Sequence, residues 1–174
     1  IVEGFRFVRA EPGLRVNMQA LCLNSLLVAP FIGLIPAMVE TELGGGKTAV
    51  VWLITGQGIG AVVTGVVFGR VAAWLGVRRV MVGALTFGPI ALALYAASPN
   101  AVVAFLPIVL CGSMYFFALS SFNTVANLRA PSDLRGRVLS LNQVVWGGVY
   151  ACALNVEGQL GDGFGLRGGS IGGA

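Results

Sequence analysis

Four long stretches of this 174-residue sequence carry no charged side chain, at 16–39, 48–69, 80–128 and 138–156. A helix needs roughly 20 mostly apolar residues to cross about 30 Å of hydrocarbon. In lipid, helices keep every backbone hydrogen bond within one segment. Since each stretch is about that long or longer, the sequence predicts an all-α membrane protein.

The overall composition supports this class of protein. Hydrophobic residues make up 56% of the chain and charged residues only 10%, whereas a soluble domain carries roughly 25% charged residues. The three cysteines lie apart in apolar stretches without a CxxC spacing, and histidine is absent. We therefore expect no metal site, no cofactor and no enzymatic activity. The net charge of +4 lies in short clusters between apolar stretches, which favours membrane orientation over nucleic-acid binding.

The third charge-free stretch is too long for one helix and is divided at Ser98-Pro99-Asn100, a combination that ends helices. Outside the charge-free stretches, the sequence predicts an interfacial lead helix at 1–15 and the start of a truncated last span from about 167. Both ends of the chain are expected to be cut from a longer protein. The five complete spans are predicted at about 16–39, 48–68, 80–97, 101–122 and 138–160.

The basic residues predict the orientation in the membrane. If the amino-terminal end is cytoplasmic, only Lys47 and Arg167 fall on the other side. Cytoplasmic loops carry the excess of lysine and arginine, so we predict a multi-pass protein of the cell (inner) membrane with that orientation. The cytoplasmic side then holds nine arginines: Arg6, Arg9, Arg15, Arg70, Arg78, Arg79, Arg129, Arg135 and Arg137.

Small residues form two lines along the second predicted span. Gly56 and Gly60 form one, and Ala61, Gly65 and Gly69 form the other. Small residues let membrane helices approach closely, so we expect Gly65→Leu to disturb packing. A dinucleotide-binding loop would need a preceding strand and a later acid, and neither is present here.

The segment from Gly69 to Arg79 is predicted to be a tight basic turn between two spans. It resembles the loop signature of the major facilitator superfamily, G-x-L-a-D-r-x-G-r-r. Ala73 stands where the family has aspartate, which weakens any charge-relay gating role for this copy. The matching positions are Gly69, Val71, Gly76, Arg78 and Arg79.

Three further segments resemble the same superfamily. Residues 131–140, with Asp133, Arg135 and Arg137 in a cytoplasmic loop, are similar to the entry of the eleventh helix in enterobactin-exporter-like members and drug exporters. Residues 158–167 and 3–9 resemble the turn before the last helix and the entry of the seventh. The resemblance implies the carboxy-terminal half of a transporter bundle, containing helices seven to eleven and the start of twelve.

In such transporters the substrate site lies between the two halves near the bilayer midplane. Polar residues inside spans are costly and mark either helix packing or the cavity. We predict substrate contacts from Asn24, Gln57, Tyr115 and Gln143, although interhelical hydrogen bonding is the alternative for each. The implied function is secondary active transport of a small molecule by alternating access, in the efflux direction. Its partners would be the bilayer, the substrate and the amino-terminal half; the alternative is a non-transporting membrane scaffold or assembly subunit.

Overall fold

The computed structural model describes residues 2–27 and 46–163 and isolated positions between them, with side chains as far as residue 152. Within these ranges the chain is helical and contains no strand. The helices are α1 (Val2–Ala10), α2 (Pro12–Leu27), α3 (Lys47–Leu75), α4 (Val77–Ala96), α5 (Ala101–Arg129) and α6 (Arg135–Gly163).

Three of the described helices, α3, α4 and α5, are long and apolar enough to cross a membrane. They overlap the predicted spans at 48–68, 80–97 and 101–122. The prediction of an all-α membrane protein is therefore confirmed. Helices α2 and α6 overlap the first and fifth predicted spans, whose full extent stays a prediction. The truncated last span, from about 167, lies outside the described residues.

The break between α4 and α5 has a clear chemical cause. The side-chain Oδ1 of Asn100 accepts a hydrogen bond of 3.0 Å from the backbone N–H of Val103, which caps the start of α5. Pro89 and Pro107 lie inside α4 and α5 without ending them. Membrane helices tolerate such prolines because neighbouring groups satisfy the freed carbonyls.

Helix α5 is the centre of the bundle, because it packs against α2, α3, α4 and α6. Toward one end of the bundle, Leu53 of α3, Tyr95 of α4 and Ile108 of α5 belong to one buried cluster. At the arginine-rich end, Leu14 and Val138 belong to a second cluster, which joins α1, α2, α5 and α6. A third buried cluster joins Leu21 of α2, Ala84 of α4 and Phe122 of α5, so apolar packing holds these helices together along the bundle.

The outer surface of the bundle is strongly apolar. Only 22% to 28% of the most apolar 18-residue window in each of α3, α4 and α5 is buried inside the chain. Val62, Val66 and Val102 are among the large apolar side chains left exposed. Burying such side chains in water-free surroundings is favourable, so this surface suits contact with lipid.

Candidate functional site

A cavity of about 240 Å³ lies between α2, α4 and α5. Two of the predicted substrate residues, Asn24 and Tyr115, line it together. The remaining wall is almost entirely apolar, with one proline and one methionine that can adjust its shape. The wall residues are Ala20, Leu23, Ala84, Leu85, Gly88, Pro89 and Met114.

Asn24 is the polar group of this cavity with hydrogen-bonding capacity to spare. Its side chain is only 5% exposed, and its Nδ2 has no hydrogen-bond partner among the described residues. A buried amide donor left unpaired costs free energy. A molecule that entered the cavity with a carbonyl or other acceptor could supply the missing partner.

Tyr115 connects the cavity to α6. The indole Nε1 of Trp146 donates a hydrogen bond of 2.6 Å to the Tyr115 hydroxyl. The ring of Trp146 also stacks on Tyr150, with centroids 6.0 Å apart and planes 12° apart. This aromatic row fixes the phenol of Tyr115 and extends the site from α5 to α6.

The two glutamines do not join this cavity. Gln57 is half-buried on α3, where its backbone carbonyl lies against Gly112 of α5. Gln143 is exposed on α6. Of the four predicted substrate residues, the structure therefore brings Asn24 and Tyr115 together and leaves Gln57 and Gln143 apart from them.

Trp146 is the residue that the sequence analysis did not identify. A tryptophan N–H that is partly buried usually needs an acceptor, and α6 places it beside the Tyr115 hydroxyl. The available signal was its position three residues after Gln143, which puts both on neighbouring turns of one helix. An aromatic residue in an apolar stretch is more often packing than site, so the signal was weak.

The contact between α3 and α5 is close and its polar groups are paired. A Cβ added at Gly60 would overlap the Val109 carbonyl, and one added at Gly112 would overlap the Gln57 carbonyl. The Ser113 hydroxyl shares its hydrogen between the Gly60 carbonyl at 3.2 Å and the Val109 carbonyl of its own helix at 3.0 Å. The Thr64 hydroxyl donates to the Ser113 carbonyl at 3.3 Å. We call this contact the α3–α5 seam.

The seam corrects one expectation. Gly65 is exposed, and a Cβ there would meet only a ring carbon of Phe116 at 3.7 Å, an ordinary contact. A Cβ at Gly69 would meet nothing within 4 Å. The line of Gly56 and Gly60, and not the line of Gly65 and Gly69, is the one that lets the helices approach.

The fold and cavity can now be compared with known proteins. Residues 1–174 match the model of a major facilitator family described as transmembrane secretion effectors. The chain belongs to this family. It is thus a multi-pass membrane transport protein, as the resemblance implied. No curated protein and no solved structure matches it significantly. The closer similarity to enterobactin-exporter-like members stays a prediction.

The loop motif that carried the resemblance is mostly helix. Helix α3 continues through Gly69 to Leu75, so the expected turn over 69–79 is reduced to Gly76 alone. Gly76 has φ +83° and ψ 140°, a conformation that residues with a Cβ rarely adopt. Arg78 and Arg79 then lie exposed in the first turn of α4. The prediction of a long loop is wrong because a helix can extend beyond the hydrocarbon, so that basic residues at the membrane surface still belong to it.

The predicted cytoplasmic loop over 128–137 contains a short turn, closed by the Leu134 N–H donating to the Pro131 carbonyl at 3.1 Å. Asp133 is exposed in this turn. Arg135 begins α6 and is exposed, and Arg137 forms an ion pair with Glu3 of α1. The turn thus brings the start of α6 back to the lead segment.

The lead segment is held to the bundle by a second ion pair. Arg129 Nη1, at the end of α5, lies 2.7 Å from Glu11 Oε1. The carboxylate of Glu11 also accepts a hydrogen bond from the Leu14 N–H, at the start of α2. Burial alone would raise the pKa of Glu11, but these hydrogen bonds and the Arg129 charge outweigh it and hold the pKa below its usual value.

The predicted lead helix over 1–15 is therefore divided. Helix α1 ends at Ala10, and α2 already begins at Pro12, a residue suited to the first turn of a helix. Val8 of α1 packs in the same buried cluster as Leu141 of α6. One apolar face of α1 thus contacts the bundle, while Phe5 remains exposed.

Proposed function

We propose that this chain forms one bundle of a secondary transporter that moves a small amphipathic molecule outward by alternating access. Membership of a family of transmembrane secretion effectors supports membrane transport. Because secretion is movement out of the cell, this family also favours the outward direction. The cavity between α2, α4 and α5 is the proposed substrate-contact site. Asn24 and Tyr115 are its polar contacts.

One observation carries this proposal: the unpaired, buried Nδ2 of Asn24 in an otherwise apolar cavity. Ligand pockets are mostly apolar, with a few polar groups that fix orientation. The substrate that fits is an apolar molecule with at least one hydrogen-bond acceptor. The volume of about 240 Å³ holds only a small molecule or one part of a larger one.

The proposed partner is the other half of the transporter. Gln143 is exposed on α6, and a polar amide facing lipid is costly. A second bundle placed against α6 would cover it and would close the substrate pathway between the halves. Gln143 would then contact the substrate or the partner, while the backbone of Gln57 lies against Gly112 in the α3–α5 seam.

The test of the site is Asn24→Leu in the complete transporter, reconstituted in vesicles. A panel of fluorescent amphipathic dyes that carry a carbonyl group serves as substrates. Loss of one hydrogen bond to the substrate, about 1.4 kcal/mol, corresponds to a tenfold change in affinity. We expect KM to rise about tenfold for transported dyes.

The matched control is Gln19→Leu. Gln19 is a polar residue of the same helix, but it is exposed and does not line the cavity. Both variants should fold to equal yield. Equal KM values for the two variants would exclude the cavity as the substrate site. If the unaltered protein transported none of the dyes, the result would favour the alternative function of a membrane scaffold.

The outward direction depends on orientation, which single cysteines can test. Cys22, Cys111 and Cys152 are first replaced, and one cysteine is introduced at Gly136 or at Gly45. We expect an impermeant thiol reagent to label intact cells only at position 45, because the arginine-rich end is predicted to be cytoplasmic. Labelling of both positions would contradict the proposed topology.

A further inference from the structure

A second cavity, of about 490 Å³, lies at the arginine-rich end between α2, α4 and α5. Its polar lining comes from Arg78, Arg129 and Asn17, and its apolar lining includes Val16, Met81 and Val125. We call it the arginine cavity. Arg78 is the second residue of α4 and Arg129 the last of α5. Because both helices are long enough to span the bilayer, their ends lie near the depth of the lipid headgroups.

The charges around this cavity do not balance. Arg129 is paired with Glu11, whereas Arg78 forms no ion pair within the described part of the chain. Two guanidinium groups thus face one carboxylate, which leaves one positive charge. A phosphodiester carries a single negative charge, and guanidinium groups bind phosphate oxygens with two parallel hydrogen bonds.

Asn17 adds a second, independent requirement. Its side chain is 3% exposed, and its Nδ2 donates to the Phe122 carbonyl at 3.2 Å. That bond fixes the amide, and its Oδ1 is left buried without a partner among the described residues. An unpaired acceptor beside a positive cavity fits a ligand that has a donor close to its anion.

We propose that the arginine cavity binds the headgroup of an anionic phospholipid of the phosphatidylglycerol type. The phosphodiester pairs with Arg78 and approaches Arg129, and a headgroup hydroxyl donates to Asn17 Oδ1. The acyl chains lie along the apolar lining. This lipid site is separate from the proposed substrate cavity and does not depend on the nature of the substrate.

The bilayer is the favoured source of the phosphate because the cavity is both charged and apolar. Inorganic phosphate or a soluble phosphate ester would leave Val16, Met81 and Val125 without a partner. A phospholipid satisfies both parts of the lining at once. The arginine-rich side is also the predicted cytoplasmic side, where anionic lipids attract basic residues.

The experiment measures thermal unfolding of the delipidated, purified protein in neutral detergent during titration with short-chain phosphatidylglycerol. A ligand that binds only the folded state raises the unfolding midpoint increasingly as its concentration exceeds the Kd. We expect Arg78→Gln to weaken the apparent affinity at least tenfold. Arg79→Gln should leave it within twofold, because Arg79 is the adjacent arginine of α4 but does not line this cavity.

Two further ligands test the source and the hydroxyl on the unaltered protein, so no variant needs to fold. Inorganic phosphate should give no shift, and phosphatidylmethanol, a diester without a headgroup hydroxyl, should bind about five- to tenfold more weakly. Equal effects of Arg78→Gln and Arg79→Gln would overturn the site. A full shift with inorganic phosphate would overturn the lipid, and equal binding of phosphatidylmethanol would overturn the role of Asn17.

Discussion

Two regions along helix α5 differ in whether their buried polar groups have hydrogen-bond partners. On the side of α3, the backbones touch and the hydroxyls of Ser113 and Thr64 bond across the seam. Farther along the bundle, Ser121 of α5 and Asn142 of α6 are buried, and their side-chain polar atoms lack partners within the described chain. The two proposed ligand cavities also lie beside α2.

The α3–α5 seam is thus a contact whose polar groups are paired, whereas the second region contains buried polar groups that could still form hydrogen bonds. Membrane helices gain stability from close packing and interhelical hydrogen bonds, and the α3–α5 seam has both. Unpaired buried groups cost free energy and persist where a ligand or another conformation can satisfy them. We therefore infer that α3 and α5 form a stable frame, against which α2 and α6 rearrange during transport.

The largest expected effect breaks the seam. In Gly60→Leu, the new side chain would run into the backbone of α5 at Val109, which cannot rotate away. We expect the folded state to be destabilised by about 3 kcal/mol, at the upper end for overpacking. The loss should appear as a lower folded yield in size-exclusion chromatography in detergent.

Gly58→Leu is the control for that prediction. Gly58 lies two residues earlier on the same helix, is exposed, and has nothing within 4 Å of an added Cβ. Its folded yield should match that of the unaltered protein. Equal losses in the two variants would mean that added bulk on any face of α3, and not the seam, sets the effect.

The next prediction compares two serines of α5 directly. Ser113→Ala removes the hydroxyl that bonds to Gly60 and should lower stability by about 0.6–1 kcal/mol. Ser121→Ala removes an unpaired buried hydroxyl and should leave stability unchanged or raise it by up to about 1 kcal/mol. The measurement is the midpoint of unfolding by SDS in mixed micelles. A larger loss for Ser121→Ala than for Ser113→Ala would reverse the proposed contrast.

The smallest effect concerns the arginine-rich end of α5. The folded-state pKa of Glu11 is lowered, so its contribution to stability is present above the unfolded-state pKa and is lost as pH falls through the folded-state pKa. Glu11→Gln should cost less than about 1 kcal/mol near pH 7, as partly exposed ion pairs do. The difference from the unaltered protein should shrink as the pH falls through the lowered pKa of Glu11.

Asp133→Asn is the matched control, since Asp133 is exposed and forms no ion pair with any described residue. It should have no effect near pH 7 or at acid pH. A Glu11→Gln penalty that persisted unchanged into the acid range would show that packing, and not charge, holds the lead segment.

The sequence predicted those features that depend on composition along the chain. Charge-free stretches located α3, α4 and α5, and the Asn100 break was correct because capping is local chemistry. It also named Asn24 and Tyr115, because polar residues inside apolar helices are few. Their meeting in one cavity could not be predicted, since it depends on how α2 and α5 are rotated about their axes.

The errors have the same physical origin. Gly60 and Gly65 are equally small, and they differ only in which face of α3 meets α5. Without a partner helix to fix the rotation, one sequence cannot choose between them. The predicted turn over 69–79 is too long, because basic residues mark the membrane surface and not the end of a helix.

Gly76 has a mechanical consequence for a transporter. It is the single residue between α3, which ends at Leu75, and α4, which starts at Val77. The path from Leu75 to Val77 is only two Cα–Cα steps, about 7 Å when extended, so the adjoining ends of α3 and α4 must stay close together. Because α3 and α4 also both pack on α5, a movement of any of these three helices displaces the other two. The connector thus tethers the adjoining ends of α3 and α4, and lengthening it by a few residues should free those ends while the packing of both helices on α5 remains.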